Sequence, residues 1–278
     1  MRKSNFRTDL AKESAETFDK KLPRGVFAEE TAIGNITKTV VEIKTESAEK
    51  RLLRKKGRYI TLEGDFFYKD ELAEALEKEI KTMLTPGKVM VAGLGNLNIT
   101  PDSLGPLTAE KIMATSHLKE NFRRSFSLES LRDVSVIFPG SSGQTGIETA
   151  SQIKAVAKSE NISSLVLIDA LAARSPEMLG RNIQVTDAGI SPGSGVGNRR
   201  SEISFATMGI PCIAIGVPTV ASAFTISGKS SGEALCGDML LTPKDIDIII
   251  KRSTEVLSEA LNYALQEKID KESLKLLM

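Results

Sequence analysis

From Lys88 onward the chain follows one grammar: short, nearly unbroken apolar runs alternate with helical patterns. "KVMVAG", "VSVIFPG" (134–140), "SSLVLIDA" and "GIPCIAIGVPT" (209–219) read as strands, with "NIQVTDAG" as a further one. Between them, "TPDSLGPLTAEKIM" and "TGIETASQIKAVAK" carry helix-start signals. Thr100 suits an N-cap before Pro101, and Thr145 with Glu148 has capping-box spacing. A long last helix is expected from "TPKDID", capped by Thr242, Pro243 and Asp245, to about Glu267. A strand buried on both faces reads as a continuous apolar run rather than an alternation. The pattern therefore predicts an α/β fold, a mainly parallel sheet with helices on both faces.

The segment ahead of Lys88 is different. Residues 1 to about 30 are polar and broken by Pro23 and Gly25, a leader with little core of its own. "ITKTVVEIKT" leans toward a strand, "SAEKRLLRKKG" toward a short basic helix ended by Gly57, and "RYITLEG" toward a second strand. Asp70 to Leu84 has helical spacing and ends at Pro86-Gly87. This is a small N-terminal β/α extension. A net charge of +1 gives no global basic field for a nucleic acid or an anionic membrane. Two cysteines make no disulfide framework, no apolar stretch is long enough to span a bilayer, and the start lacks a secretory apolar region. The expected compartment is the cytoplasm.

In open α/β sheets, ligands sit beyond the carboxyl ends of the strands where strand order reverses. In the order 2-1-3, the first strand of the core delivers Asp102 in "VMVAGLGNLNITPDSLGPL", and the third delivers Asp169 at its tip. Two close carboxylates cannot both ionise cheaply, so one keeps a proton. The ionised member can take a proton from water while the other polarises a carbonyl, which suits metal-free amide hydrolysis. Asp102, near a helix start, is the better base, and Asp169, behind "LVLI", the better acid. Each aspartate also has a purely structural alternative, complementing a helix dipole or capping the next helix.

Other motifs carry less. "GLGNLN" has two glycines of a dinucleotide fingerprint, but Asn98 stands where the third belongs. "SGKSSG" (227–232) lacks the earlier P-loop glycine, the position being Ala223. His117 is the only histidine and reads as a surface residue in a polar helical stretch. Cys212 reads as core, and Cys236 has no base partner. "DAGISPGSGVGNRR" (187–200) is a flexible connection or a substrate-binding loop. Two rival readings stay open. One is a metal-dependent peptidase using Asp102 and Asp169 with a third ligand such as Asp187. The other is a non-enzymatic nucleotide-binding module at Gly93 and Gly95.

Five separated motifs, in order, resemble the germination protease family: "GLGNLNITPDSLGP", "PGSSGQTGIET", "LIDALAARS", "DAGISPGSGVGNRRSEIS" and "GIPCIAIGVPTV". The likeness runs from about Asn5 to the final helix. It implies a fold related to the hydrogenase maturation proteases and an endopeptidase that degrades small acid-soluble spore proteins during germination. It also implies a self-processing zymogen, a homotetramer, a place in the spore core, and catalysis by two aspartates, Asp102 and Asp169. No cofactor or metal, no direct nucleic-acid binding and no membrane contact are expected; His117 is out of place for a maturation protease's nickel set. Family substrates are cut after the acid in stretches like Thr-Glu-Ile-Ala-Ser-Glu, and this chain carries "TDLAKE", Thr8 to Glu13. Self-cleavage is therefore expected between Asp9 and Leu10. Residues 1–9 would be a propeptide and 10–278 a single α/β protease domain, with 10–87 as its extension and 88–278 as its core sheet. Arg174, Arg181, Arg199 and Arg200 are candidates for a cationic pocket that receives the acid.

Overall fold

The computed structural model describes residues 8–18, 22–126, 128–194, 200–223 and 239–277. In chain order the main elements are α1 (Ala11–Glu16), β1 (Val26–Ile33), β2 (Ile36–Ile43), α2 (Glu46–Leu52), β3 (Gly57–Glu63) and α3 (Lys69–Met83). Then come β4 (Val89–Gly93), α4 (Leu104–Glu110), α5 (Glu120–Ser125), β5 (Val134–Ile137), α6 (Ser142–Thr145), α7 (Thr149–Ser159), β6 (Ser164–Ala173) and β7 (Asn182–Thr186). Last are α8 (Phe205–Met208), β8 (Cys212–Ser222), β9 (Leu240–Leu241), α9 (Ile246–Leu265) and a terminal helix, Lys271–Leu277.

One sheet joins all nine strands among the described residues, in the order β1-β2-β3-β7-β8-β6-β4-β5, with β9 on β8. The core order β5-β4-β6 is the 2-1-3 order on which the facing of Asp102 and Asp169 depends, and β4, β5, β6 and β8 run parallel. β7 is antiparallel to both β8 and β3, so it stitches the N-terminal extension onto the core as one continuous sheet. The connection 174–181 is shorter than the dozen or so residues a parallel crossover needs, so β7 has to return antiparallel.

Apolar residues face both ways along each core strand. On one face Val91, Val166, Ile168, Ile215 and Val185 pack under Leu72, Leu76 and Ile80 of α3 and Leu257 and Leu261 of α9. On the other, Met90, Ala92, Leu165, Leu167 and Ala214 pack under Ala150, Ile153 and Ala157 of α7. Burial on both faces is why these strands read as unbroken apolar runs.

Several local expectations change. The leader does have a core. Ala11 and Ala15 of α1 pack with Val41, Ile43, Leu52 and Tyr59, and Leu10 is fully buried against Leu171 and Ala173. The basic helix stops at Leu52, with Leu53 in the left-handed region, and Gly57 opens β3 instead of ending the helix. Thr100 lies inside a 3-10 turn, Thr100–Asp102, and caps nothing with its side chain. Thr145 closes α6, where Ser141 and Gln144 form the capping box, and Glu148 precedes α7. Asp169 is not at a strand tip. β6 runs on to Ala173, while β4 stops at the pair Gly93↔Ile168.

Candidate active site

The turn after β4 is shaped around Asp102. Gly95 has φ +119°, and a Cβ there would meet the Asp102 carbonyl oxygen at 2.1 Å. Only glycine supplies both the conformation and the room. The turn then closes on itself: the Asn96 N–H donates to the Asp102 carbonyl at 3.1 Å, and the Asp102 N–H to the Ile99 carbonyl at 2.8 Å. The Asn96 side-chain oxygen accepts from the Asn98 N–H at 2.9 Å and from Gln144 Nε2 at 2.8 Å. Asp102 is left half-buried at the mouth of the sheet.

Asp169 sits in β6 just past the last residue pair with β4 and is 6% exposed. Its Oδ1 accepts from the Ala170 N–H at 3.0 Å. Burial pushes its carboxyl well above the usual range, and the charges of Asp102 and Asp9 push it further in the same direction. Asp102 is also raised, by burial, while Arg200 and a backbone hydrogen bond from Asn96 pull it back. The two carboxyls thus share one electrostatic neighbourhood. The inner one, buried, holds its proton more firmly, and the outer one, only half-buried, ionises more easily. The chemistry available to such a pair is proton abstraction by one member and proton donation by the other.

The segment Thr8 to Glu13 lies across the overhang of β6. The Asp9 N–H donates to the Ala172 carbonyl at 2.7 Å, and the Ala172 N–H donates to Asp9 Oδ2 at 2.9 Å. Asp9 Oδ1 accepts from Ser194 Oγ at 2.8 Å, with the Arg54 guanidinium 4.0 Å away. Leu10 fills an apolar socket beside Leu171, Ala173, Met178 and Leu179. Burying that side chain is worth about 1.5–3 kcal/mol. Ala11 N–H and the Asp9 carbonyl both bind the side chain of Gln184, at 2.8 and 2.9 Å. Glu13, fully buried, accepts from the Arg174 and Ser175 N–H groups at 2.7 Å each and from the Thr8 hydroxyl. Two backbone donors and a hydroxyl are what a buried carboxylate needs in place of water. A cavity of about 420 Å³ opens beside Asp9, lined in part by Arg54, Tyr59, Ser194 and Gly216.

The other sequence candidates scatter. Arg200 lies at the base of the glycine-rich loop, which an Ile190↔Ile203 bridge closes, and its charge acts on both aspartates. Arg174 contributes its backbone N–H to Glu13, while its side-chain charge acts on Glu16. Arg181 is exposed before β7. Arg199, Cys236 and the stretch 227–232 lie outside the described residues. His117 is exposed in a turn rather than a helix. Cys212 is buried, and burial pushes its thiol up to about 12, which suits a core residue. Asp187 instead accepts from the Arg58 N–H at 2.7 Å. Among the described residues no group of three or more His, Cys, Asp or Glu side chains could hold a metal ion.

Sequence reasoning missed Arg54, Gln184, Ser194 and Glu13. Arg54 is hidden inside the stretch that reads as a short basic helix. Glu13 had a usable signal: it is the final acid of the "TDLAKE" stretch already singled out.

Comparison with known proteins adds the following. A family model described as "Germination protease" matches residues 6–232. A germination protease of Clostridium tetani is 38% identical, the alignment covering 97% of this chain and 98% of that one. One of Caldanaerobacter subterraneus subsp. tengcongensis is 36% identical, covering 98% of each. One of Priestia megaterium is 42% identical over 81% of this chain and 66% of that one. Among solved structures, the [NiFe] hydrogenase maturation protease HycI from Thermococcus kodakarensis KOD1 is similar, with TM-score 0.39 and 16% identity, covering 67% of this chain and 98% of that one.

Proposed function

Since this chain belongs to the germination protease family and is a peptidase, we propose that it is an endopeptidase of small acid-soluble spore proteins, made as a zymogen that cuts itself between Asp9 and Leu10. Asp102 and Asp169 carry the reaction in this reading. Ionised Asp102 takes a proton from a water molecule as the water oxygen bonds to the carbonyl carbon of the residue before the cut. The carbonyl π pair moves onto oxygen. When that pair returns, the C–N bond breaks, and protonated Asp169 gives its proton to the leaving nitrogen. Proton, water and peptide balance without a further reactant.

The observation that carries this reading is the unequal pair itself. Asp169, buried in β6 just past its last pair with β4, is driven toward its protonated form by burial and then by the charge of Asp102. Asp102, half-buried in the β4 turn, is raised by burial and pulled back by Arg200. The docked Thr8–Glu13 stretch supports it, because its acid adds to the same field at Asp169. Arg200, and Arg199 next to it in sequence, are proposed to attract the acidic residue before the cut, with Arg174 and Arg181 as further candidates for that cationic pocket. A homotetramer working in the spore core is the assembly and compartment proposed. Among the described residues no helix is long and apolar enough to cross a membrane.

The test is incubation with a small acid-soluble spore protein, with and without a chelator. Asp102→Asn and Asp169→Asn are each expected to lose about 10²–10⁴-fold in cleavage rate. Full cleavage after both substitutions together would overturn the aspartate reading. Cleavage abolished by the chelator and restored by a divalent ion would replace it with the metal-dependent one.

A further inference from the structure

Gln184 makes two contacts that no structural role of its own strand requires. Its Nε2 donates to the carbonyl of Asp9 at 2.9 Å, and its Oε1 accepts from the N–H of Ala11 at 2.8 Å. The amide cannot be flipped, because the Ala11 N–H only donates and the Asp9 carbonyl only accepts. One side chain therefore spans the Asp9–Leu10 bond, gripping the carbonyl on one side and the second amide on the other. It reaches there because of the sheet's register. Asp169 of β6, Gly216 of β8 and Gln184 of β7 stand in one row. At strand spacing, the row puts Gln184 and Asp169 about 10 Å apart at their backbones, room for one peptide unit. Gly216, between them, carries no side chain, and a Cβ there would meet the Asp169 carbonyl oxygen and Leu171 Cγ at 2.6 Å each, so the Leu171 side chain packs over that position.

We propose that Gln184 is a further catalytic residue, the donor that polarises the carbonyl to be attacked and holds its oxygen as charge develops there, with Oε1 fixing the register of the substrate on the far side of the cut. This rests on the reading that Asp9–Leu10 is a cleaved bond. A hydrogen-bond donor already aimed at a carbonyl oxygen strengthens as that oxygen becomes negative, and losing one such donor typically costs 10²–10³-fold in rate.

The experiment follows self-cleavage of the full chain by intact mass in the parent, Gln184→Ala, Gln184→Glu, Asp102→Asn and Asp169→Asn, with melting temperatures as the folding control. Gln184→Ala is expected to slow cleavage about 10²–10³-fold at every pH. Gln184→Glu keeps the acceptor for Ala11 and nearly the same shape, but as a carboxylate it has no proton to donate. It is expected to be slow at neutral pH and to recover as the pH falls and the new carboxyl protonates. If Gln184→Ala fails to fold, Gln184→Glu carries the test alone. A folded Gln184→Glu cleaving at the parental rate at neutral pH, while Asp102→Asn is inactive, would overturn the role of Gln184 and leave the aspartate reading standing. A parent that never cuts at Asp9–Leu10, or aspartate variants that cut it normally, would remove the reading beneath both.

Discussion

At the scale of single residues, Asp169 sets function against stability. Its proton affinity is raised in the folded protein by burial and by its neighbours. A folded carboxyl that binds its proton more tightly than the unfolded one makes stability fall as pH rises from the ordinary carboxylate value up through the folded value. Asn is close in shape and carries no charge at any pH. Asp169→Asn is therefore expected to melt higher than the parent at pH about 8 and nearly alongside it at pH about 4. Thermal melts across that range check it, and an equal gap at both ends would show that the carboxyl's charge is not the cause. Asp102 and Asp169 stand out in the sequence because each follows an apolar run, but the strand extends past Asp169 to Ala173, which the run alone does not show. The hands that hold the peptide do not stand out. Gln184 alternates with apolar neighbours inside a short strand, and nothing in its own stretch announces that its amide meets the backbone of Asp9 and Ala11.

At the scale of elements, the β4 turn shows what sequence can and cannot give. "GLGN" reads as a tight strand-to-helix turn. That the missing Cβ of Gly95 makes room for the backbone of Asp102 becomes visible only in three dimensions. Gly95→Ala is expected to lower stability by about 1–3 kcal/mol and to cut activity, since the backbone strain and a Cβ only 2.1 Å from the Asp102 carbonyl oxygen both fall on Asp102. Gly209→Ala provides the contrast. Its φ is also positive, at +80°, but nothing lies within 4 Å of the added carbon. Its cost is expected to stay near 1 kcal/mol, with activity kept. Denaturant melts and cleavage rates on the two variants separate turn strain from displacement of the acid. Cap positions were misplaced for a similar reason. Thr100 and Thr145 had the right residue types nearby, but a short turn precedes each helix and shifts its start, while the basic helix ends at left-handed Leu53, ahead of Gly57.

For the whole molecule, the parallel core was readable because fully buried strands leave unbroken apolar runs; its 2-1-3 order was a condition for the two acids to face each other, and the structure supplies it. The joining of the extension was not readable, because it depends on β7 pairing with a strand more than a hundred residues earlier in the chain. The continuous sheet and the shared cluster of α3, α9 and strands from both segments argue for a single folding unit. Unfolding is expected as one cooperative transition, with near- and far-ultraviolet circular dichroism coincident. An early separate loss of the β1–β3 signal would show the extension to be a domain in its own right.

The buried seat of Leu10 has a consequence for maturation. A cut at Asp9–Leu10 would turn a neutral amide into an ammonium and a carboxylate, the ammonium on a residue whose side chain is fully buried. Yet the greasy side chain one atom away still favours staying, and Glu13 remains clasped a turn later. Hydrolysis and opening are then separate events: the freed end would plug the cleft it came from until its new charge expels it, and only then could another chain enter.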